Sequence, residues 1–140
     1  MADLTANTER LYIDGGQGTI RKIPVAASEH IYCGMILNIS ATGYAKAASD
    51  TAGEKIAGIA KSEADNSSGA DGDIYVDVAI GTKTWISNAA LTIADNLAKV
   101  YATDSNTVAA AAVNVGACGR VIDVDAGVKV LVDFSVPELV

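Results

Sequence analysis

The sequence is short of several things that most soluble domains have in quantity. Aromatic residues fill 5% of its 140 positions, as one Trp, one Phe and five Tyr, whereas alanine occurs 25 times. The core must therefore be built from small and β-branched side chains. Charged residues make up 19%, below the roughly 25% that is usual, and mean hydropathy is positive at +0.28. A surface so thin in charge suits a protein that works packed against others. Cysteine is limited to Cys33 and Cys118, and histidine to His30. A tetrahedral zinc site draws on several such residues at short spacing, so zinc is excluded, and no other metal or cofactor is expected. Both thiols have small or apolar neighbours, in Tyr32-Cys33-Gly34 and Ala117-Cys118-Gly119, and are expected to be buried and inert.

Long apolar runs are missing too. The longest charge-free stretches, 31–45 and 105–119, are 15 residues each and are interrupted by Asn, Ser, Thr or Gly. A membrane-spanning helix needs about 18 or more apolar residues. The start, Met1-Ala2-Asp3-Leu4-Thr5, lacks the basic and apolar regions of a signal peptide, so synthesis in a cytoplasm is expected. Positive charge is in deficit, with ten Lys and Arg against seventeen Asp and Glu, a net −7. Such a field disfavours nucleic acid as a partner. The deficit is uneven: in residues 1–22, Asp3, Glu9 and Asp14 are balanced by Arg10, Arg21 and Lys22, so the whole excess lies on residues 23–140.

What the chain does have is period-two patterning. Residues 1–22 read as an extended N-terminal arm, with Asp14-Gly15-Gly16-Gln17-Gly18 as a flexible joint, and a single body is expected over 23–140. In Asp73-Ile74-Tyr75-Val76-Asp77-Val78-Ala79-Ile80 the residues Ile74, Val76, Val78 and Ile80 share one face, and Val128-Lys129-Val130-Leu131-Val132-Asp133-Phe134 repeats the arrangement. Shorter strands are expected over 35–39, 44–47, 55–61, 82–86, 98–102 and 119–123, and the Ala-rich stretch 108–115 reads as extended. Strands at a spacing of about ten residues, separated by Gly, Asn, Asp and Ser, predict an all-β body, a small barrel or a sandwich. An internal duplication is also suggested. Ala57-Gly58-Ile59-Ala60 and Cys118-Gly119-Arg120-Val121 lie 61 residues apart, and the same offset carries the turns at Gly34 and Gly43 onto Asp95 and Asp104. The halves would be about 23–80 and 86–134.

Reactive constellations are not found. Gly16-Gln17-Gly18 opens like a dinucleotide loop, but Arg21 stands where the third glycine is needed. The oxygen-rich segment 65–73 has Ala70 and Val76 at the places where a calcium loop needs Gly and Glu, so it reads as a solvated hairpin loop. His30 has only Ser28 and Glu29 beside it, too close along an extended chain to converge, and reads as a surface residue at a strand entrance. Asp123, Asp125 and Asp133 fit the wet face of a half-polar sheet. The expectation is a structural or interaction module and not an enzyme, with no catalytic residue assigned.

Several runs carry a resemblance. Ile23-Pro24-Val25-Ala26-Ala27, then Ile31-Tyr32-Cys33-Gly34-Met35-Ile36-Leu37, the turn Thr42-Gly43-Tyr44, Ala57-Gly58-Ile59-Ala60 and Gly72-Asp73-Ile74-Tyr75-Val76-Asp77-Val78 are similar to the capsid cement or decoration proteins of tailed bacteriophages. The second half continues it in Ala89-Ala90-Leu91-Thr92-Ile93-Ala94-Asp95, Val100-Tyr101 and Gly116-Ala117-Cys118-Gly119-Arg120-Val121. The likeness covers about 23–134 and departs at Ala94-Asp95, where such proteins often have Gly-Asp. It implies a β-barrel or β-tulip-like body, a homo-oligomer with the trimer favoured over the dimer, and a place on the outer surface of the virion. There the partner would be the major capsid protein, reached by an N-terminal arm. Carried onto this chain, the arm contacts are Leu4, Leu11, Tyr12 and Ile13 as apolar anchors, with Arg10, Arg21 and Lys22 facing acidic patches. Trp85 is the candidate subunit-interface residue. The competing expectation is a carbohydrate-binding adhesion module, against which stands the scarcity of aromatic platforms.

Overall fold

The computed structural model describes residues 3–8, 19–88 and 90–135. Its strands are β1 (Thr19–Pro24), β2 (His30–Ile31), β3 (Ile36–Ile39), β4 (Ala45–Ala47), β5 (Lys55–Ala60) and β6 (Ala64–Asp65), followed by β7 (Tyr75–Ile80), β8 (Lys83–Ser87), β9 (Lys99–Ala102), β10 (Val108–Ala109), β11 (Gly119–Asp125) and β12 (Lys129–Asp133). One 3-10 turn, Ile93–Asp95, is the only helical piece among the described residues, closed by a capping box between Thr92 and Asp95. The body is all-β, and neither large sheet closes into a barrel. Sheet A has the order β1-β7-β5-β3-β4, sheet B the order β8-β12-β11-β9-β10, and β2 pairs with β6 in a separate ribbon. All strand pairs are antiparallel.

The two five-stranded sheets are built to one plan, because each takes its strands in the same order along the chain and across the sheet. The hydrogen bonds outside the ladders repeat as well. The Gly34 amide donates to the Ala60 carbonyl and that of Leu97 to Val121; Ser40 donates to Tyr44 and Thr103 to Thr107; Val25 donates to Ile74 and Asn88 to Val128. The offset is thus 63 residues at Gly34 and Leu97, 61 at Ala60 and Val121, and 54 at Ile74 and Val128. The expected value of 61 holds only around β5 and β11. The turns at Gly34 and Gly43 correspond to Leu97 and Asn106 rather than to Asp95 and Asp104, since the first unit has two more residues between Tyr44 and Ala60 than the second has between the equivalent Thr107 and Val121.

Gly58 and Gly119, the glycines in the recurring tetrapeptides, explain why those runs recur. A Cβ at Gly58 would fall onto the carbonyl of Ala79 in β7, and a Cβ at Gly119 onto the carbonyl of Asp133 in β12. Each glycine lets the central strand of its sheet approach the next one closely.

Each unit has its own core. Val76 and Val78 of β7 lie against Ile31, Met35, Leu37 and Ala64 on the front of sheet A, so the β2–β6 ribbon forms its lid. Ile86, Val100, Val121, Val130 and Val132 make the front of sheet B, and the residues that cover them are Ile36, Ala48 and Ile59, from the back of sheet A. The units therefore stack front on back, and each fully buried isoleucine at this contact contributes about 1.5–3 kcal/mol. One cross-strand row shows how the backs differ. In sheet A it reads Ile20, Ala79, Ile59, Ile36. The same row in sheet B reads Lys83, Asp133, Arg120, Lys99.

Three differences from the sequence reading have physical causes. Sheet A begins at Thr19, so Arg21 and Lys22 lie in a paired strand, β1, and not in an arm ending at residue 22. The mixed sequence of β1 hides this, because an edge strand has one neighbour and tolerates exposed charge. The short β2 and β6 lack the length for a period. Of 108–115 only Val108–Ala109 pairs, and residues 113–115 turn away to meet Asp50.

Candidate interaction surface

The arm was the expected site of contact, and its described portion lies on the chain's own body. Asp3 Oδ1 accepts the Ser105 amide at 2.9 Å, and the Leu4 amide donates to Ser105 Oγ at 2.9 Å. Further along, Asn7 Oδ1 accepts the Cys33 amide at 2.7 Å, Asn7 Nδ2 donates to Glu63 Oε1 at 3.0 Å, and the Thr8 amide donates to the Cys33 carbonyl. Ser105 belongs to the second unit and Cys33 to the first, so residues 3–8 strap the two together. Gly34 makes room for this strap, since a Cβ there would strike the Thr8 carbonyl. At the corresponding position Leu97 also has a positive φ, 64°, and points its side chain into solvent, so the second unit has no seat for a strap. No local sequence signal marks Asp3, Asn7 or Ser105 as partners; the contacts span up to 102 residues.

Of the expected arm contacts, Leu4 packs against the core of sheet A, an apolar anchor within this chain. Arg21 is exposed on β1, and Lys22 Nζ meets Asp77 Oδ1 across to β7 at 2.9 Å. Arg10, Leu11, Tyr12 and Ile13 lie outside the described residues. Trp85 lies on β8, an edge strand, opposite Leu131 on the back of sheet B, half-buried, with Lys129 Nζ 4.6 Å from its ring centroid. In the first unit Lys22 and Asp77 hold the same positions. An ion pair in one sheet thus stands where the other has an apolar pair.

Several other titratable residues serve local structure. His30 Nε2 lies 2.8 Å from Glu63 Oε2, and the ring stacks on Tyr32. The bonds from His30 and then from Asn7 hold the Glu63 carboxyl below its usual range. In 65–73 the oxygens are spent on the chain itself: Asp65 Oδ1 accepts the Ser67 amide, Asp71 Oδ1 the Ala27 amide and Asp73 Oδ2 the Ala70 amide. The buried Asn66 amide group bonds Ala26 and Ala70 carbonyls. Among the described residues no group of three or more potential metal ligands occurs. Asp123 and Asp125 lie on β11 and Asp133 on β12, where Asp133 Oδ1 accepts the Ser135 amide.

One further cluster ties the units together. Asp50, from the first, accepts the amides of Val113, Asn114 and Val115 in the second. The bonds from Val113 and Asn114 hold its carboxyl below the ordinary value of 3.8, so this tie is complete above that pH and is lost as pH falls through the depressed value. Beside it, Glu54 is buried with Lys46 Nζ at 2.8 Å from Oε2 and Asn38 Nδ2 at 3.1 Å from Oε1. A cleft between Asn38, Glu54, Ala102 and Cys118 measures about 10 Å³, room for one water at most.

The thiols differ. Cys118 is buried, and desolvation pushes its pKa up to about 12, whereas Cys33 is only half-buried, held in a turn at the surface. The expectation of two buried thiols thus needs correcting for Cys33. A thiol reagent applied to the native protein is expected to modify one cysteine, Cys33, and to reach Cys118 only after denaturation; prompt native labelling of Cys118 would contradict its burial.

No protein-family profile, no curated protein and no solved structure matches this chain.

Proposed function

We propose that this protein is a structural component of a phage virion that binds the outer surface of the head and stabilises the expanded capsid by bridging neighbouring major capsid subunits. The observation that carries the reading is the N-terminal strap. It is a short polar segment held across a seam by hydrogen bonds and one apolar side chain, next to a body in which several titratable groups are occupied in local structure. Such a segment exchanges its intramolecular partners for equivalent ones on a neighbour at little net cost, and the body then acts as the second point of attachment. A binder specific for the expanded lattice stabilises it by mass action without chemistry. Several attachments per molecule make the later contacts intramolecular.

The test is deletion of residues 1–18, tested on purified expanded heads. The body is expected to fold with a loss of about 1–2 kcal/mol, from the removed Leu4 contact and the strap's hydrogen bonds. Its occupancy on heads is expected to fall by about tenfold or more. Unchanged occupancy would remove the arm from the reading.

A further inference from the structure

We infer that Lys46 and Asn38 are the two ends of an isopeptide bond that the folded chain makes for itself, with Glu54 as the proton carrier. Here a lysine amine and a carboxamide meet on one buried carboxylate. Asn38 on β3 and Lys46 on β4 face each other in the antiparallel ladder. Side chains of such a pair start about 5 Å apart on one face, a span that the four-carbon stem of lysine bridges with slack. Glu54, the residue before β5, joins them: Lys46 Nζ lies 2.8 Å from Oε2, and Asn38 Nδ2 lies 3.1 Å from Oε1. Asn38 is 3% exposed and Glu54 5%, while Lys46 reaches in from the rim with its side chain 27% exposed. A second bond from Asn38 Nδ2, to the Ser49 carbonyl at 3.0 Å, fixes the plane of the amide. Ile56, Ala102 and Cys118 wall the cleft beside Asn38 and Glu54, which keeps bulk water from competing as a nucleophile.

The chemistry balances with the chain's own groups. Glu54 Oε2 takes a proton from the Lys46 ammonium, and the freed lone pair of Nζ attacks Asn38 Cγ, forming the new C–N bond and moving the C=O electron pair onto Oδ1. Glu54 then gives its proton to Nδ2. The electron pair returns from Oδ1, the Cγ–Nδ2 bond breaks, and ammonia departs with the last proton shed by Nζ. One ammonium and one primary amide thus become one secondary amide and an ammonium ion, and Glu54 ends as the carboxylate it began as. The cleft of about 10 Å³, room for one water, is room for one ammonia as well. Holding the three groups in contact supplies the proximity that the step needs. An amide is a weak electrophile, so the step is slow, and the newly folded chain holds the open pair. Both cysteines are free and β4 is a three-residue edge strand, so this bond fastens that edge as no disulfide does among the described residues.

The bond does not depend on the shell-binding reading, and mass spectrometry reads it directly. The purified full chain, kept folded for about a week, is expected to lose about 17 Da, the mass of one ammonia, and the chain kept in denaturant to lose nothing. Trypsin cuts after a lysine whose amine is free, and Lys46 is the one internal site of the tryptic segment 23–55. That segment is expected as a single peptide, uncut at Lys46 and lighter by about 17 Da. Lys46→Arg keeps the positive charge without the nucleophile, and Glu54→Gln keeps the volume without the proton acceptor; both are expected to fold and to retain their full sequence mass. A folded chain still at full mass after that time, mass lost while Lys46 is still cut, equal loss in denaturant, or the same loss in either variant, overturns the proposal.

Discussion

Gly58→Ala and Gly119→Ala are each expected to cost about 3 kcal/mol or more, although each adds one methyl group. The added Cβ would strike backbone first: the carbonyl of Ala79 for Gly58, and for Gly119 the carbonyl of Asp133 with Phe134 Cα close behind. Neither can rotate aside, so β5 would have to part from β7, or β11 from β12. Gly43→Ala is the control. Its Cβ would meet nothing within 4 Å, and only the left-handed backbone at φ +97° penalises it, by about 1 kcal/mol. Denaturant unfolding of the three variants checks the order. If Gly119→Ala is no worse than Gly43→Ala, the close approach in sheet B is wrong.

Removal of the Glu54 carboxylate is the second large effect. Glu54 is 5% exposed and has a cation at 2.8 Å, with Asn38 and Ser49 bonded to the other oxygen. Glu54→Ala leaves a partly buried ammonium without its acceptor and removes one of the two acceptors of the buried Asn38 amide group, and about 3 kcal/mol of stability is expected to go with it. Glu54→Gln retains an acceptor and fills the same volume, so it should lose less than half as much. Equal losses in the two variants would show that packing at the seam matters there and the charge does not.

The sequence was most readable where one face of a strand is buried and the other wet. The strands expected near 74–80 and 128–134 form as β7 and β12, with Val76, Val78, Val130 and Val132 turned inward. The pattern breaks at Ala79, buried although it lies on the opposite face, because that face of sheet A is the back and is covered by the second unit. Period two reports a single buried face, and a sheet sandwiched on both sides blurs it. The tetrapeptides around Gly58 and Gly119 were legible as a repeat, since a steric need for glycine leaves no alternative residue. The repeat's register elsewhere was not, because the units share hydrogen bonds and not side chains: Gly34 answers to Leu97, and Lys22 to Trp85. The strap was invisible for a simpler reason. Asp3, Asn7 and Thr8 bond to residues far along the chain, and nothing local selects those partners.

The contact between the units is a rule that could be applied again: the back of one sheet seats the front of the next. Applied without end it would give a filament, since every newly added unit would present a fresh seat. This chain obeys the rule once and then withdraws the seat. The isoleucines that receive the second unit have become Lys99 and Arg120 on its own back, and a third front of valines set against them would have to strip water from charges that it cannot pair. At the opposite end, the β2–β6 ribbon keeps the first front from finding another back. Growth by stacking is therefore terminated at both ends within a single chain, and the protein has a fixed length.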